Sequence, residues 1–280
     1  MIKNPWLTSA LIAVMLSGCA ATQESSKTAE ENTGSSWQQE KDISALQRAA
    51  EQGDMEAQYN LGLRYGKGEG VRQDGAQAVT WYRKAAVQGH ADAQNNLGVR
   101  YVRQDDVQAV AWFRQAAEQG LAAAQLNLGH MYGVGRGVVQ DYAQAVAWYR
   151  KAAEQGNAAA QYNLGVSYSN GEGVHQDDVQ AVVWYRKAAE QGNANAQNNL
   201  GAVYANGLGA TQDDVQAVVW YRKAAEQGNA NAQYNLGNMY YQGRGVTRDA
   251  VQAVAWYRKA AAQGQAQAQK NLNIINERLR

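Results

Sequence analysis

From Asp42 to the end of the chain, apolar and polar positions recur in one fixed order. In residues 158–171, "AAAQYNLGVSYSNG", Ala160, Leu164 and Tyr168 stand at i, i+4 and i+8 with Gly165 beside them, the spacing of one helix face. A Gly-x-Gly stretch follows, here Gly171-Glu172-Gly173, suited to a turn with positive φ. Next, "QAVAWYRKAAEQG" places Ala145, Trp148, Tyr149 and Ala152 on a broad apolar face flanked by Val146 and Ala153, while Arg150, Lys151, Glu154 and Gln155 form its wet side. This second helix opens on an Asp followed three residues later by Gln, as in Asp177/Gln180 and Asp213/Gln216, a capping-box signature. It closes on Gly, as at Gly156 and Gly192, the residue favoured just past a helix end.

The pattern repeats almost letter for letter: "WYRKAAEQG" starts at Trp148, Trp184 and Trp220, and "WYRKAAAQG" at Trp256. Aligned on "AQ-x-N-L-G", the units are 54–89, 90–120, 121–156, 157–192, 193–228 and 229–264. Five are 36 residues long and the second is 31. Residues 42–53 are the second half of a unit, and 265–280 the first half of another, with Asn273 where Gly would stand. Half-units are the expected caps of a stack, and a fixed period means an array of stacked helix pairs rather than one globule. A mid-helix Gly costs about 1 kcal/mol relative to Ala. Its presence in all six units (Gly62, Gly98, Gly129, Gly165, Gly201, Gly237) predicts that another helix backbone crosses there. One Trp per unit, inside an Ala/Val face, predicts packing between units.

The first 41 residues read differently. Lys3, a short apolar run from Trp6 to Leu16, and the ending "LSGC" have the shape of an export signal (1–18), too short to span a membrane. The ending resembles the lipobox of bacterial lipoproteins, which implies acylation of Cys19 and membrane attachment through it. By resemblance to enterobacterial lipoproteins, Ala20 after the Cys implies sorting to the outer membrane, on its periplasmic side or at the cell surface. Residues 19–41 then read as the lipidated Cys and a polar tether of ~22 residues, reaching about 25 Å.

The motifs L-G-x-x-Y, G-x-G-V-x-x-D, A-V-x-W-Y and A-A-x-x-G at this period resemble Sel1-like repeats, relatives of tetratricopeptide repeats, over essentially all of 42–280. The resemblance implies an all-α, right-handed α-solenoid of stacked helix-turn-helix repeats. Family members often carry Pro after the Val of the turn; this chain has Arg72, Val139, His175 and Thr247 there, which predicts looser turns. The second unit lacks five turn residues. Cys19 is the only cysteine, so the disulfide staples of cysteine-rich Sel1-like proteins cannot form.

Composition argues against chemistry. With 26 basic and 25 acidic residues the chain has no basic excess with which to neutralise phosphates, so no nucleic-acid partner is expected. His90, His130 and His175 share no metal-ligand spacing, and with one Cys no metal site or cofactor is expected. The Asp106, Asp178 and Asp214 carboxylates, beside the capping Asp residues, read as dipole complements. No nucleophile motif is present, so the chain reads as non-enzymatic.

What differs between near-identical copies points to a partner. The resemblance to tetratricopeptide superhelices places the variable positions of the first helix in a concave groove: Tyr59, Asn95, Leu126, Tyr162, Asn198 and Tyr234 two before the repeated Leu, with His130 and Asn238 two after it and Tyr241 beyond. Asn60, Asn96, Asn127, Asn163, Asn199 and Asn235 recur just before that Leu. At the matching place a tetratricopeptide Asn can bond a ligand backbone; the alternative is bonding between neighbouring helices. The expected role is a membrane-anchored interaction scaffold taking a protein or extended peptide. Alternatives are an envelope-assembly adaptor, or a surface factor contacting a host protein.

Overall fold

The structure, a computed structural model, describes residues 42–278; the expected signal, Cys19 and tether lie outside them. The described residues are all helix and connecting turns, with no strand. The helices are α1 (42–51), α2 (Met55–Lys67), α3 (Gly75–Val87), α4 (Ala91–Tyr101), α5 (Asp106–Glu118), α6 (Ala122–Val134), α7 (Tyr142–Glu154), α8 (Ala158–Asn170), α9 (Asp178–Glu190), α10 (Ala194–Asn206), α11 (Asp214–Glu226), α12 (Ala230–Gln242), α13 (Ala250–Ala262) and α14 (Ala266–Arg278). Even-numbered helices lead each repeat and odd-numbered ones close it. The described residues form two compact units, one up to Gln115 and the other from Ala116, with the division inside α5. No described helix is long and apolar enough to cross a membrane.

Each closing helix starts where Asp caps it. Asp177 Oδ1 accepts the Gln180 N–H at 2.9 Å, and Asp213 Oδ1 that of Gln216 at 3.0 Å. The reciprocal half of the box is absent, because the Asp N–H is already taken. Asp177 N–H donates to Tyr168 O and Asp213 N–H to Tyr204 O, at 2.9 and 2.8 Å. That bond fastens the start of the closing helix to the end of the leading one. In the short repeat the five missing residues shorten α4 to 11 residues. Arg103 adopts φ +71° in the tight turn that follows, and its N–H donates to Asp106. The turns without Pro are tied by side chains: Gln73 and Gln140 donate to the carbonyls of Gly66 and Gly133, and Arg248 to that of Tyr241.

The core is one cluster per repeat. Around α9 and α10 it holds Ala181, Val182, Tyr185, Ala188, Ala189, Ala196, Leu200 and Val203, with Trp220 of the next closing helix packed on its edge. Trp184 and Trp256 meet their own preceding clusters in the same way, as packing between repeats predicts. One face of each Trp is roofed by the Lys three residues on, 4.2 Å from the ring centroid at both Trp184 and Trp220, a cation–π contact.

The mid-helix glycines have a different cause from the one expected. A Cβ on Gly201 would lie 2.6 Å from the Tyr221 ring of its own repeat. Gly165 meets Tyr185 at 2.6 Å and Gly237 meets Tyr257 at 2.7 Å. The Cδ1 and Cε1 atoms of an aromatic ring come nearest to the glycine, and the closing-helix backbone expected there comes second, its carbonyl 3.3 Å away for Ala181 O. A still closer backbone crossing occurs at the second turn glycine. At Gly245, φ +65°, a Cβ would sit 2.1 Å from Asp214 O, at the start of the preceding closing helix.

Along the array runs a ladder of amides, in which each Gln–carbonyl bond crosses between repeats and each Gln–Gln bond lies within one. The buried Gln161 donates to Ala153 O at 3.1 Å and accepts from Gln191 at 2.7 Å. Gln197 likewise donates to Ala189 O and accepts from Gln227, and Gln233 donates to Ala225 O and accepts from Gln263. In the first unit Gln58 does the same with Ala50 and Gln88. Each Gln thus adds a second bond to a carbonyl at a helix end that already accepts a glycine N–H, as Ala153 O does from Gly156, and the buried amide is bonded through both its nitrogen and its oxygen. A second tie joins Arg186 to the Tyr204 hydroxyl at 2.7 Å and Arg222 to that of Tyr240 at 2.9 Å.

Candidate binding face of the leading helices

With the Leu, Gly, Gln and Arg positions engaged in the frame, the candidate positions lie on what remains of the leading helices. Tyr59, Asn60, Asn95, Asn96, Leu126, Asn127, His130, Tyr162, Asn163, Asn198, Asn199, Tyr234, Asn235, Asn238 and Tyr241 are all half-buried. None is a core residue and none is fully in water.

In the first unit, Tyr59 stacks on His90 with ring centroids 4.2 Å apart and tilts against Tyr82 at 6.0 Å. His90 caps α4, its Nδ1 facing the Ala93 N–H at 3.4 Å, and its Nε2 lies 3.1 Å from the Glu56 carboxylate. Asn60 donates to Glu56 at 3.1 Å. Burial pushes the Tyr82 hydroxyl up to about 12, with Tyr59 adding to the rise and Asn96 opposing it.

In the second unit, Tyr162 tilts against Tyr185 at 6.2 Å and Tyr234 against Tyr257 at 6.0 Å. Burial raises the Tyr162 hydroxyl, opposed by Asn199 of the next repeat. Asn235 donates to Asn198 at 3.0 Å, and Asn198 donates to Asn199 at 3.3 Å. Asn238 accepts from the Tyr257 hydroxyl at 2.7 Å and from Asn271 at 3.3 Å. Leu126 packs on the cluster around α7, and the Tyr241 ring lies 5.8 Å from the Arg248 guanidinium. Several Asn side chains therefore bond to their neighbours along the array. Asn163 stands apart, with no hydrogen bond to any described residue.

The variable positions five before the Leu, Glu56, Asp92, Ala123, Ala159, Asn195 and Asn231, also belong to the expected groove by the tetratricopeptide resemblance, but the bonds that some of them make to the next repeat went unrecognised in the sequence. Asn229 donates to Asn195 at 2.9 Å and Gln265 to Asn231 at 2.9 Å, and Glu56–His90 is the charged version of the same pair. Each links the first turn of one leading helix to the cap of the next. Their signal was present, since these positions are polar in most copies and lie one repeat apart.

Of the three Asp residues beside the caps, Asp214 receives two bonds from Arg244, at 2.6 and 3.1 Å. Those bonds hold its carboxyl below the usual range. Among the described residues no group of three or more His, Cys, Asp or Glu could hold a metal ion.

A model of the Sel1 repeat matches residues 46–54, 56–90, 91–121, 122–157, 158–193, 194–229 and 230–265. The chain belongs to the Sel1 repeat family. Its family units begin one or two residues later than those read from "AQ-x-N-L-G", and the half-unit before them is matched as well. A Sel1 repeat protein from Oxalobacter formigenes is 34% identical with a TM-score of 0.73, the match covering 82% of this chain and 94% of that one. A protective antigen present in uropathogenic Escherichia coli strains, displaying an SLR fold, is 43% identical with a TM-score of 0.64. That match covers 84% of this chain but only 59% of the antigen. Comparison with curated proteins gives no match. Sel1-repeat solenoids are in general protein–protein interaction scaffolds, and this Sel1-repeat chain shares their stacked helical pairs.

Proposed function

We propose that this Sel1-repeat protein is a lipid-anchored scaffold that binds a protein or extended peptide along its leading helices. One observation carries the reading. The invariant Leu, Gly, Gln and Trp positions are engaged in the frame, whereas the half-exposed positions on either side of the leading-helix Asn change from copy to copy. Tyr162 and Tyr234 supply amphipathic contact area, and amides between them match the backbone groups of an extended segment. With a near-neutral chain, affinity rests on contact area and aromatic anchors rather than on electrostatic steering.

The test is site-specific photo-crosslinking in cells. A crosslinker at Ala159 or Asn231 on the leading helices captures the partner, and one at Glu190 or Glu226 on the closing helices does not. Equal capture from both sets overturns the assignment.

Anchoring at Cys19 is the second part of the proposal. Cys19→Ala is expected to abolish acyl labelling and release the repeats from the membrane fraction; retention there refutes it. Likeness to a protective antigen favours an outward-facing array contacting a host protein over an envelope-assembly adaptor. Protease added to intact cells separates these readings, since only the outward-facing array is cleaved.

A further inference from the structure

Charge is distributed unevenly over the leading helices. In the first unit α2 carries Glu56, Arg64 and Lys67, and α4 carries Asp92 and Arg100. In the second unit α6, α8, α10 and α12 contain no Asp, Glu, Lys or Arg, and the leading-helix charges, among them Lys270 and Glu277, are confined to the capping helix α14. Every full charge of those four repeats is in a turn or on a closing helix, as at Arg186, Lys187 and Glu190. Their exposed and half-buried leading-helix side chains are amides, hydroxyls, small apolar groups and His130.

Resting on the peptide-binding reading above, we infer that the face formed by α6, α8, α10 and α12 selects an uncharged segment of extended polypeptide. A charged side chain laid against it would lose water and find no counter-ion on those four helices, a penalty that goes unrepaid without a partner. An uncharged segment loses no such hydration, and its amide groups find amides opposite. Asn163 is the clearest of these. It is half-buried on α8 beside Tyr162, and neither its donor nor its acceptor is used by a described residue. Recognition built this way is insensitive to salt, unlike recognition between charged surfaces.

The experiment uses the full chain and three pools of synthetic dodecapeptides, acidic, uncharged and basic, with binding read by fluorescence polarisation at low and high salt. The expected result is binding of the uncharged pool, changing by less than about twofold between the two salts. Asn163→Ala should weaken it about fivefold, the worth of one neutral hydrogen bond. Asn163→Asp, equal in shape but charged, should weaken it further while helicity by circular dichroism is unchanged. Preference for the acidic or basic pool, or binding that fades with salt, overturns the inference and leaves the peptide reading standing. Binding of no pool removes the peptide reading itself, and this inference with it. Full uncharged-pool binding by both Asn163 variants also overturns it.

Discussion

Two glycines on α6 face the same ring and are predicted to respond oppositely to the same substitution. A Cβ on Gly129 would lie 2.8 Å from both Cδ1 and Cε1 of Tyr149 and 3.1 Å from Ala145 O. One on Gly133 would lie 3.6 Å from the Tyr149 hydroxyl and 3.7 Å from Ala145 Cβ. Carbon atoms pack best at about 3.5–4.0 Å. In Gly129→Ala the ring must therefore retreat by about 0.7–1 Å, through a buried cluster that offers no room. Overpacking of this kind costs about 1–3 kcal/mol, against a helix-propensity gain of about 1 kcal/mol. The net expectation is a loss of up to about 2 kcal/mol, towards the upper end since the backbone carbonyl also stands in the way. In Gly133→Ala the new methyl makes ordinary contact and only the propensity gain remains, about 0.5 kcal/mol so near the helix end. Urea unfolding followed by far-UV circular dichroism reads both. The midpoint should fall for Gly129→Ala and rise for Gly133→Ala. Shifts of the same sign would refute the argument that the Tyr149 ring, and not helix propensity or local backbone shape, dictates the glycine.

Gln197→Leu removes the bonds to Ala189 O and from Gln227 and should destabilise by about 2 kcal/mol, the worth of two net hydrogen bonds, read by the same urea titration. Asp214 has its carboxyl lowered by Arg244, so the pair stabilises the fold above the unfolded carboxylate value and is lost as pH falls through the folded one. Arg244→Gln should flatten that acid limb in thermal melts taken across the acid range; an unchanged limb would mean that the pair adds nothing. Tyr82 is raised to about 12, so its contribution is full below about 10, its unfolded value, and disappears as pH climbs towards about 12. In a spectrophotometric alkaline titration Tyr82→Phe should delete one late-ionising phenol and leave the early ones unchanged.

Much of the fold was legible because every copy repeats the same rule. The Leu–Ala–Tyr face, the Asp caps and the terminal Gly each follow from local periodicity and capping chemistry, and each appears where that chemistry requires it. What was hidden lies between residues far apart in the chain. A glycine facing a ring and a glycine facing a backbone look identical in sequence, so the ring against Gly201 and the backbone against Gly245 were hidden, while the positive φ of the turn glycine was legible. The Gln161–Gln191 bond joins residues 30 apart, a separation that no helix or strand period marks. Only the invariance of both Gln residues across copies hinted at it. The capping box failed by half because Tyr168 O, in the preceding helix, competes for the Asp177 N–H. At the candidate face, variation between copies marked the positions, while the bonding of Asn199 and Asn235 to their neighbours depended on three-dimensional registry.

The amide ladder also bears on how such a chain changes length. In the second unit each junction between repeats reuses one set of parts: a Gln reaching back to an Ala carbonyl and held by a second Gln of its own repeat, an Arg on a Tyr hydroxyl and a Trp on the preceding cluster. Nothing in that set depends on position within the row. Recombination that deletes or duplicates one whole 36-residue copy therefore rejoins two surfaces that already fit, and no new junction has to arise by mutation. A gene of this kind can lengthen or shorten its product in single steps. Each step adds or removes one set of leading-helix side chains, so what the array recognises can be edited one segment at a time while its foldability stays constant.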